Sequence, residues 1–579
     1  MIQYNSYNNY DLDPMVYVSG YGGAVMAGNE KISASVKDKI EKGAKTIAFD
    51  LYPGVDKNRV MELARALEPD RIIETDTCKL SEDELENKFG RNITDDRVFG
   101  VISACTLEEC FDSEKIESCR KEISASDALT IIVGVGATLL ATPDVHYYFD
   151  ITRWEIQLRF RRGATNWMFK NPDQPLLTKY KIGFFVEWRL ADRYKTANLR
   201  NIDYWIDANR HDELRMINSD AFLAGFMQAT KKPVRMQAYY DPSVWGGYWM
   251  KNMFNLPENG SNYGWSFDGV PEENSFKLDF DGEWIEFPAI DLVFLYPEQL
   301  LGKRVYGRFG AEFPIRFDML DTMDGGNLSL QVHPLTSYIQ QKFGMHYTQD
   351  ESYYILDSTD ESCVYLGVKQ DVVPQEMKKD LEAANKGQIQ FPDEKYINCF
   401  PVKKHDHVLI PAGTTHCSGK NTMVLEISAT PYIFTFKMWD WGRIGLDGLP
   451  RPVHIEHGMN NIQFNRDTDW VQENLLHQEK VIYQDKDILV EHTGLHAFEY
   501  LETVRYSLKK PIACETDDSV IMLNLVDGKE AWIKSPTDAF EPVKIHYAET
   551  FIIPCDVDKF ILAPAVDGTE VKFITAHVR

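Results

Sequence analysis

Residues 328–334 read Leu-Ser-Leu-Gln-Val-His-Pro, and their alternation predicts a β-strand with two unlike faces. Successive side chains on a strand point to opposite sides, so Leu328, Leu330 and Val332 share an apolar face while Ser329, Gln331 and His333 share the other. One side suits a core; the other offers an amide oxygen and an imidazole. Downstream, Glu351 opens the run Glu-Ser-Tyr-Tyr-Ile-Leu, and His416 lies in Ile-Pro-Ala-Gly-Thr-Thr-His-Cys-Ser-Gly. Gln331, His333, Glu351 and His416 together make a candidate ligand set for a borderline divalent ion, with a coordination position left open for water or substrate.

His333 alone reads equally well as a core histidine. The combination with His416 favours a metal site, because Pro411-Ala-Gly413 supplies a turn that would aim an imidazole inward. His405 and His407 are rival ligands at i and i+2, although Lys403-Lys-His-Asp-His407 is more simply a solvated edge. Glu426, on an expected strand from Thr422 to Ser428, reads as a carboxylate that orients a ligand, as a proton-transfer group or as a paired structural acid.

The order Gln-x-His-Pro, then Glu before an aromatic strand, then Pro-Ala-Gly-Thr-x-His, then Val-Leu-Glu-Ile resembles the type I phosphomannose isomerase (mannose-6-phosphate isomerase) family, zinc enzymes built on cupin barrels. Trp245-Gly246-Gly247 and Lys437-Met-Trp-Asp-Trp-Gly-Arg443 extend the match over roughly residues 234 to 465, and weaker similarity to a second barrel runs to the C-terminus. The resemblance implies one Zn2+ per chain held by Gln331, His333, Glu351 and His416, and interconversion of mannose 6-phosphate and fructose 6-phosphate. It makes Glu426 the base, and Lys437, Arg443 and Lys420 the cations for phosphate or developing negative charge.

Two departures stand out. Gln349, in Thr348-Gln-Asp-Glu351, takes the place of a lysine in the Gly-Lys-Thr-Glu of many bacterial members, and Lys437 stands where the family places an arginine. Lysine keeps the charge and loses the planar fork. They motivate an alternative: a non-catalytic sugar-phosphate sensor or scaffold, or an isomerase of a different phosphosugar. The donor set itself leaves zinc, iron and manganese open.

Upstream, short apolar runs alternate with helical periodicity. Met15–Ser19, Thr46–Leu51, Arg71–Thr75, Val98–Ile102 and Leu129–Val133 read as buried strands, and Ser33–Lys42 and Asn58–Leu67 as helices. Residues 203–230 read as helical. The expected fold class is therefore multidomain α/β plus all-β, an N-terminal open α/β sheet domain followed by two cupin-type β-barrels. Boundaries are expected at 1–230 for an α/β domain open to three roles, a degenerate kinase-like relic, a regulatory unit or a packing partner, 231–470 for the metal-binding cupin and 471–579 for a metal-free cupin-like domain. A polar helix over Gln375–Asn385 interrupts the middle part.

No complete nucleotide signature accompanies the α/β pattern. Gly43-Ala-Lys-Thr46 precedes a strand rather than following one, and Gly134-Val-Gly136-Ala-Thr-Leu139 has Leu139 where a small residue is needed. Tyr148–Arg162 faintly resembles the arginine-bearing lid helix of small-molecule kinases; paired charges at 153, 159, 161 and 162 are the simpler expectation. In the last region Ala548-Glu-Thr-Phe-Ile-Ile-Pro554 echoes the turn before His416, but Cys555-Asp-Val-Asp follows where a histidine would be required.

With 579 residues the chain exceeds one core, and 44% hydrophobic with 26% charged residues is an ordinary globular composition. The formal net charge of −26 repels nucleic acid and anionic membranes. A phosphosugar partner would have to meet a local positive patch. Nine cysteines without a Cys-x-x-Cys pair suit reduced thiols. The N-terminus lacks a signal-peptide pattern and the apolar window Ala128–Ala141 is too short to span a bilayer, so cytoplasm is the expected location.

Overall fold

In the computed structural model, which describes residues 7–258, 261–429, 434–446, 448–494 and 496–579, the run Thr46–Leu51 is the middle one of five parallel strands in a seven-stranded sheet. Thr130–Gly134 and Val145–Asp150 flank it, Arg71–Glu74 and Tyr204–Asp207 lie outside them, and all five are parallel. Arg215–Asn218 and Met26–Ala27 add an antiparallel edge. The central strands are apolar almost throughout because both faces are buried, as a parallel sheet covered by helices requires. Asn29–Glu41 and Lys57–Arg65 are two of those helices, the second capped by Asp56 accepting from the Asn58 backbone N–H.

Three expectations for this part are corrected. Met15–Tyr17 is a strand, but it pairs in parallel with Lys277–Asp279, outside the α/β sheet. Val98–Ile102 forms no strand; Phe99 instead stacks on Phe434 at 4.7 Å and meets Phe436 edge-on at 5.5 Å. Residues 203–230 hold the strands Tyr204–Asp207 and Arg215–Asn218 before the helix Ser219–Ala229. The chain itself fills both glycine-containing loops that could have held phosphate. Asp144 Oδ2 accepts from the N–H groups of Lys45 and Thr46, and Asp50 Oδ1 accepts from those of Gly136 and Ala137. The arginines of the helix Arg153–Arg161 and the residue after it are likewise paired, Arg153 with Asp192, Arg159 and Arg162 with Glu155, and Arg161 with Asp241.

The remaining chain builds a three-stranded sheet, in which Ser275–Phe280 lies between Met15–Tyr17 and Glu283–Pro288, and two pairs of antiparallel sheets. In the first pair, six strands run in the order His407–Ile410, Glu351–Ser358, Thr422–Ser428, Arg316–Asp321, Trp265–Gly269, Tyr239–Asp241. Opposite them run Ile397–Pro401, Cys363–Val368, His416–Ser418, Leu330–Val332 and Phe436–Trp439. The second pair, from Lys480–Gln484 to Val571–Val578, has six and four strands. Among the described residues no ladder joins the two sheets of either pair, so the expected closed barrels are facing open sheets held by their side chains. The expected polar helix is present as Pro374–Asn385. Lys195 of the α/β part lies buried between Asp150 and Asp291, tying that part to the helix Ile290–Leu295. No described helix is long and apolar enough to cross a membrane.

Candidate metal centre

The register of the first pair brings the expected donors together from both sheets. Gln331 stands opposite His416 on neighbouring strands, and His333 follows one residue beyond the end of its strand. Glu351 opens a strand of the facing sheet, opposite Ser428 and Ile410. Its Oε1 lies 2.7 Å from His416 Nε2 and its Oε2 3.0 Å from His333 Nε2, with all three side chains at most 1% exposed. Donor atoms of the three fall within 4.8 Å of one another.

The hydrogen bonds on the far side of each ring decide what this convergence means. His333 Nδ1 is 2.9 Å from the Phe434 carbonyl and His416 Nδ1 2.8 Å from the Thr414 carbonyl. A carbonyl only accepts, so each Nδ1 carries a proton, and each Nε2 is the ring atom turned toward the carboxylate. His333 Nε2, His416 Nε2 and Glu351 Oε1 have no hydrogen-bond partner among the described residues. At such distances a proton or a cation lies between each Nε2 and the carboxylate. The donor set of two imidazoles and one carboxylate suits zinc or a similar borderline ion. Gln331 lies in the same cross-strand row, 8% exposed, with its Oε1 accepting from Thr435 Oγ1 at 2.6 Å.

The turn before His416 is held rigidly. Gly413 has φ +88°, and a Cβ there would come within 2.8 Å of Gln463 Cγ, so both the backbone and its surroundings require glycine. Arg466 Nη1 donates to the Pro411 and Ala412 carbonyls and to Thr414 Oγ1, and Asp350 Oδ1 accepts from the Ala412 N–H. The ring is thus aimed by a clamped loop.

Glu426 reaches the same interior from the adjacent strand. Gln349 Nε2 donates to Glu351 Oε2 at 2.9 Å and to Glu426 Oε1 at 3.2 Å, while its Oε1 accepts from the Phe434 N–H. Burial, reinforced by Asp318 and Glu351, pushes the Glu426 carboxyl well above the usual carboxylate range. Lys437 stands opposite Gln331 in the next strand, half-buried and without an ion pair among the described residues. Burial and the Arg451 guanidinium bring its ammonium down to about 7.

Other candidates fall elsewhere. Arg443 is committed to Asp440 and to the Asn327 carbonyl. Lys420 sits on an exposed turn paired with Glu361 at 3.0 Å. His407 is not a solvated edge: it is 2% exposed, and Thr493 Oγ1 lies 2.9 Å from its Nδ1. His405 contacts Tyr354 and Asp527, so both imidazoles belong to the contact between the two pairs of sheets. Arg316 and Asp318, both buried beside Glu426, were missed from sequence. Alternation in Arg-Phe-Asp-Met-Leu-Asp imitates a strand with one wet face; the register with Glu426 is what reveals them.

Comparison with known proteins gives one family model, described as a domain of unknown function (DUF8485), matching residues 28–231. A probable mannose-6-phosphate isomerase, GmuF of Bacillus subtilis, is 25% identical over 240 residues, covering 40% of this chain and 68% of the relative. A putative mannose-6-phosphate isomerase of the same organism, YvyI, is 20% identical over 356 residues, covering 60% of this chain and all of the relative, 100%. The crystal structure of the mannose 6-phosphate isomerase from Bacillus subtilis overlays on 60% of this chain and 99% of that one, with 18% identity and a TM-score of 0.49.

Proposed function

We propose that this chain is a zinc-dependent aldose–ketose isomerase interconverting mannose 6-phosphate and fructose 6-phosphate on a cupin-type pair of sheets. The observation that carries the proposal is the convergence of two imidazole Nε2 atoms and a carboxylate, with both Nδ1 atoms committed to carbonyls. His333, Glu351 and His416 would hold the ion, with Gln331 as a fourth donor once its amide turns from Thr435. The named relatives at 20–25% identity support the reaction class.

When bound, the ion acts as a Lewis acid toward the carbonyl end of the substrate. The chain's own residues supply the proton traffic. Glu426 takes the proton from C2 and returns it to C1, while O1 gains a proton and O2 loses one, which converts the aldose to the ketose. The raised Glu426 carboxyl suits a group that must both take and release a proton. Gln349 holds Glu426 and Glu351 in one arrangement through a single amide. Lys437 is the cation toward which a phosphate would lie, since Arg443 and Arg451 beside it both pair with Asp440.

The same reading keeps the α/β domain at 1–230, the catalytic domain at 231–470 and a structural, metal-free domain at 471–579, in a cytoplasmic protein. Proton exchange tests it: zinc-loaded protein in deuterated water should introduce deuterium at C2 of mannose 6-phosphate, and its absence sinks the isomerase. Gln349 supports a second reading, a sensor, because a neutral amide locks the two acids together where the resembling family has lysine. Tight binding of mannose 6-phosphate with no exchange would select the sensor.

A further inference from the structure

The surface of the six-stranded sheet that faces the metal centre carries more buried polar groups than a metal needs. Antiparallel register places Arg316, Ser428 and Glu351 in one cross-strand row, and Phe267, Asp318, Glu426 and Tyr353 in the next. Residues opposed in an antiparallel ladder share a face, and Glu351 fixes which face this is, because it meets the imidazoles of the opposite sheet. Arg316 is 2% exposed, Asp318 and Ser428 0%. Arg316 Nη2 donates to Asp318 Oδ2 at 2.9 Å, yet Arg316 Nε, Asp318 Oδ1 and Ser428 Oγ have no hydrogen-bond partner among the described residues. Buried polar atoms are nearly always paired, so three orphans on one face, beside a metal centre, call for a partner from outside the chain.

The second row also has a direction. It begins at Phe267, and Trp265, two residues away on the same face, stacks on Phe267 with centroids 5.6 Å apart and planes at 9°. Both rings are only partly buried, whereas Asp318, Glu426 and Tyr353 are buried. The face therefore grades from partly exposed aromatic rings, through donors and acceptors lacking partners, to the metal donors. The Arg316 guanidinium already lies over the Phe267 ring, 5.5 Å from its centroid, so it is the unpartnered donors and acceptors that match a carbohydrate, whose hydroxyls donate and accept at once. A phosphate fits poorly here, since Asp318, Glu426 and Glu351 would repel it.

We propose that Arg316, Asp318 and Ser428 form a hydroxyl-recognition subsite that holds the polyol chain of a sugar whose reactive end lies at the metal centre. The proposal rests on the isomerase reading for the identity of that reactive end. Arg316 and Asp318 act as one unit, the guanidinium donating to a hydroxyl oxygen while the carboxylate accepts the hydroxyl proton. Specificity among sugars then arises from the hydroxyls in the middle of the chain.

The test uses full-length, zinc-loaded protein and two mild variants, Ser428→Ala and Asp318→Asn, with zinc content and thermal midpoint as controls. Calorimetry measures binding of glycerol 3-phosphate and of sorbitol 6-phosphate, a longer polyol that cannot isomerise. Each variant should bind sorbitol 6-phosphate about tenfold more weakly, the worth of one hydrogen bond, and glycerol 3-phosphate unchanged. Equal affinity of wild type and both variants for sorbitol 6-phosphate, or no binding of it by wild type, overturns the subsite. Wild-type turnover of mannose 6-phosphate with unchanged affinities in the variants would remove the subsite and leave the isomerase. Selective loss of sorbitol 6-phosphate binding in a protein without turnover would keep the subsite and remove the isomerase. Should one variant fail to fold, as its thermal midpoint would show, the other still decides.

Discussion

Two pairs of sheets in this chain share a plan and fill it differently. Between the first pair lie His333, His416, Glu351, Glu426, Asp318 and Arg316, all buried. Between the second lie Leu508, Leu523, Leu525, Ile533, Phe560 and Phe573. The turn Ile410-Pro-Ala-Gly-Thr-Thr delivers His416 in one case; Ile553-Pro-Cys-Asp-Val-Asp delivers a short 3-10 turn, Cys555–Val557, and no imidazole in the other. An apolar interior stabilises by burial, at about 25 cal/mol per Å² of apolar surface removed from water. A polar interior gives up that gain and must be repaid by a ligand. The second pair is thus suited to holding the fold and the first to chemistry.

Removing a donor should break the comparison most sharply. His416→Ala is expected to weaken zinc binding more than about 100-fold and to abolish turnover, read by metal analysis after dialysis against a chelator. Leu523→Ala should do the converse. It should cost about 3 kcal/mol in urea unfolding while leaving one zinc per chain, because its cavity opens in the apolar pair. If Leu523→Ala lost the metal instead, the two interiors would not be independent.

Smaller effects sharpen the contrast. Gln349→Ala should lower turnover about tenfold with zinc content unchanged, since Glu351 keeps its imidazoles and loses only the amide that ties it to Glu426. Between the two pairs, burial pushes the His407 imidazole down to about 3. Unfolded, it titrates near 6.5, so between about 6.5 and 3 the unfolded chain binds the extra proton. Its neutral packing therefore stabilises fully above 6.5 and is lost as pH falls toward 3, by at most about 1.4 kcal/mol per pH unit. His407→Gln should flatten that part of the stability profile measured by urea titration.

Local patterns carried much of this architecture. Alternation around Gln331 and His333, the Pro-Ala-Gly turn and the strand Thr422–Ser428 are visible in a few consecutive residues, and so were the parallel strands Thr46–Leu51 and Arg71–Glu74. Features set by distant partners were not. Phe99 sits in an apolar run that reads as a strand, yet its ring packs on Phe434 and Phe436, more than three hundred residues away. Met15–Tyr17 finds its ladder at Lys277–Asp279. Arg316 and Asp318 went unread because alternation reports which residues share a side, not what covers it. The six-stranded sheet is covered on both sides, and that is a property of the assembled chain.

The most direct test of the central claim is a coupled assay of mannose 6-phosphate conversion to fructose 6-phosphate, run on metal-stripped protein and again after zinc is restored. Turnover that vanishes on stripping and returns with one zinc per chain is the predicted result. Full restoration of one zinc by His333, Glu351 and His416 with no turnover would contradict the isomerase and leave a metal-dependent sugar-binding protein.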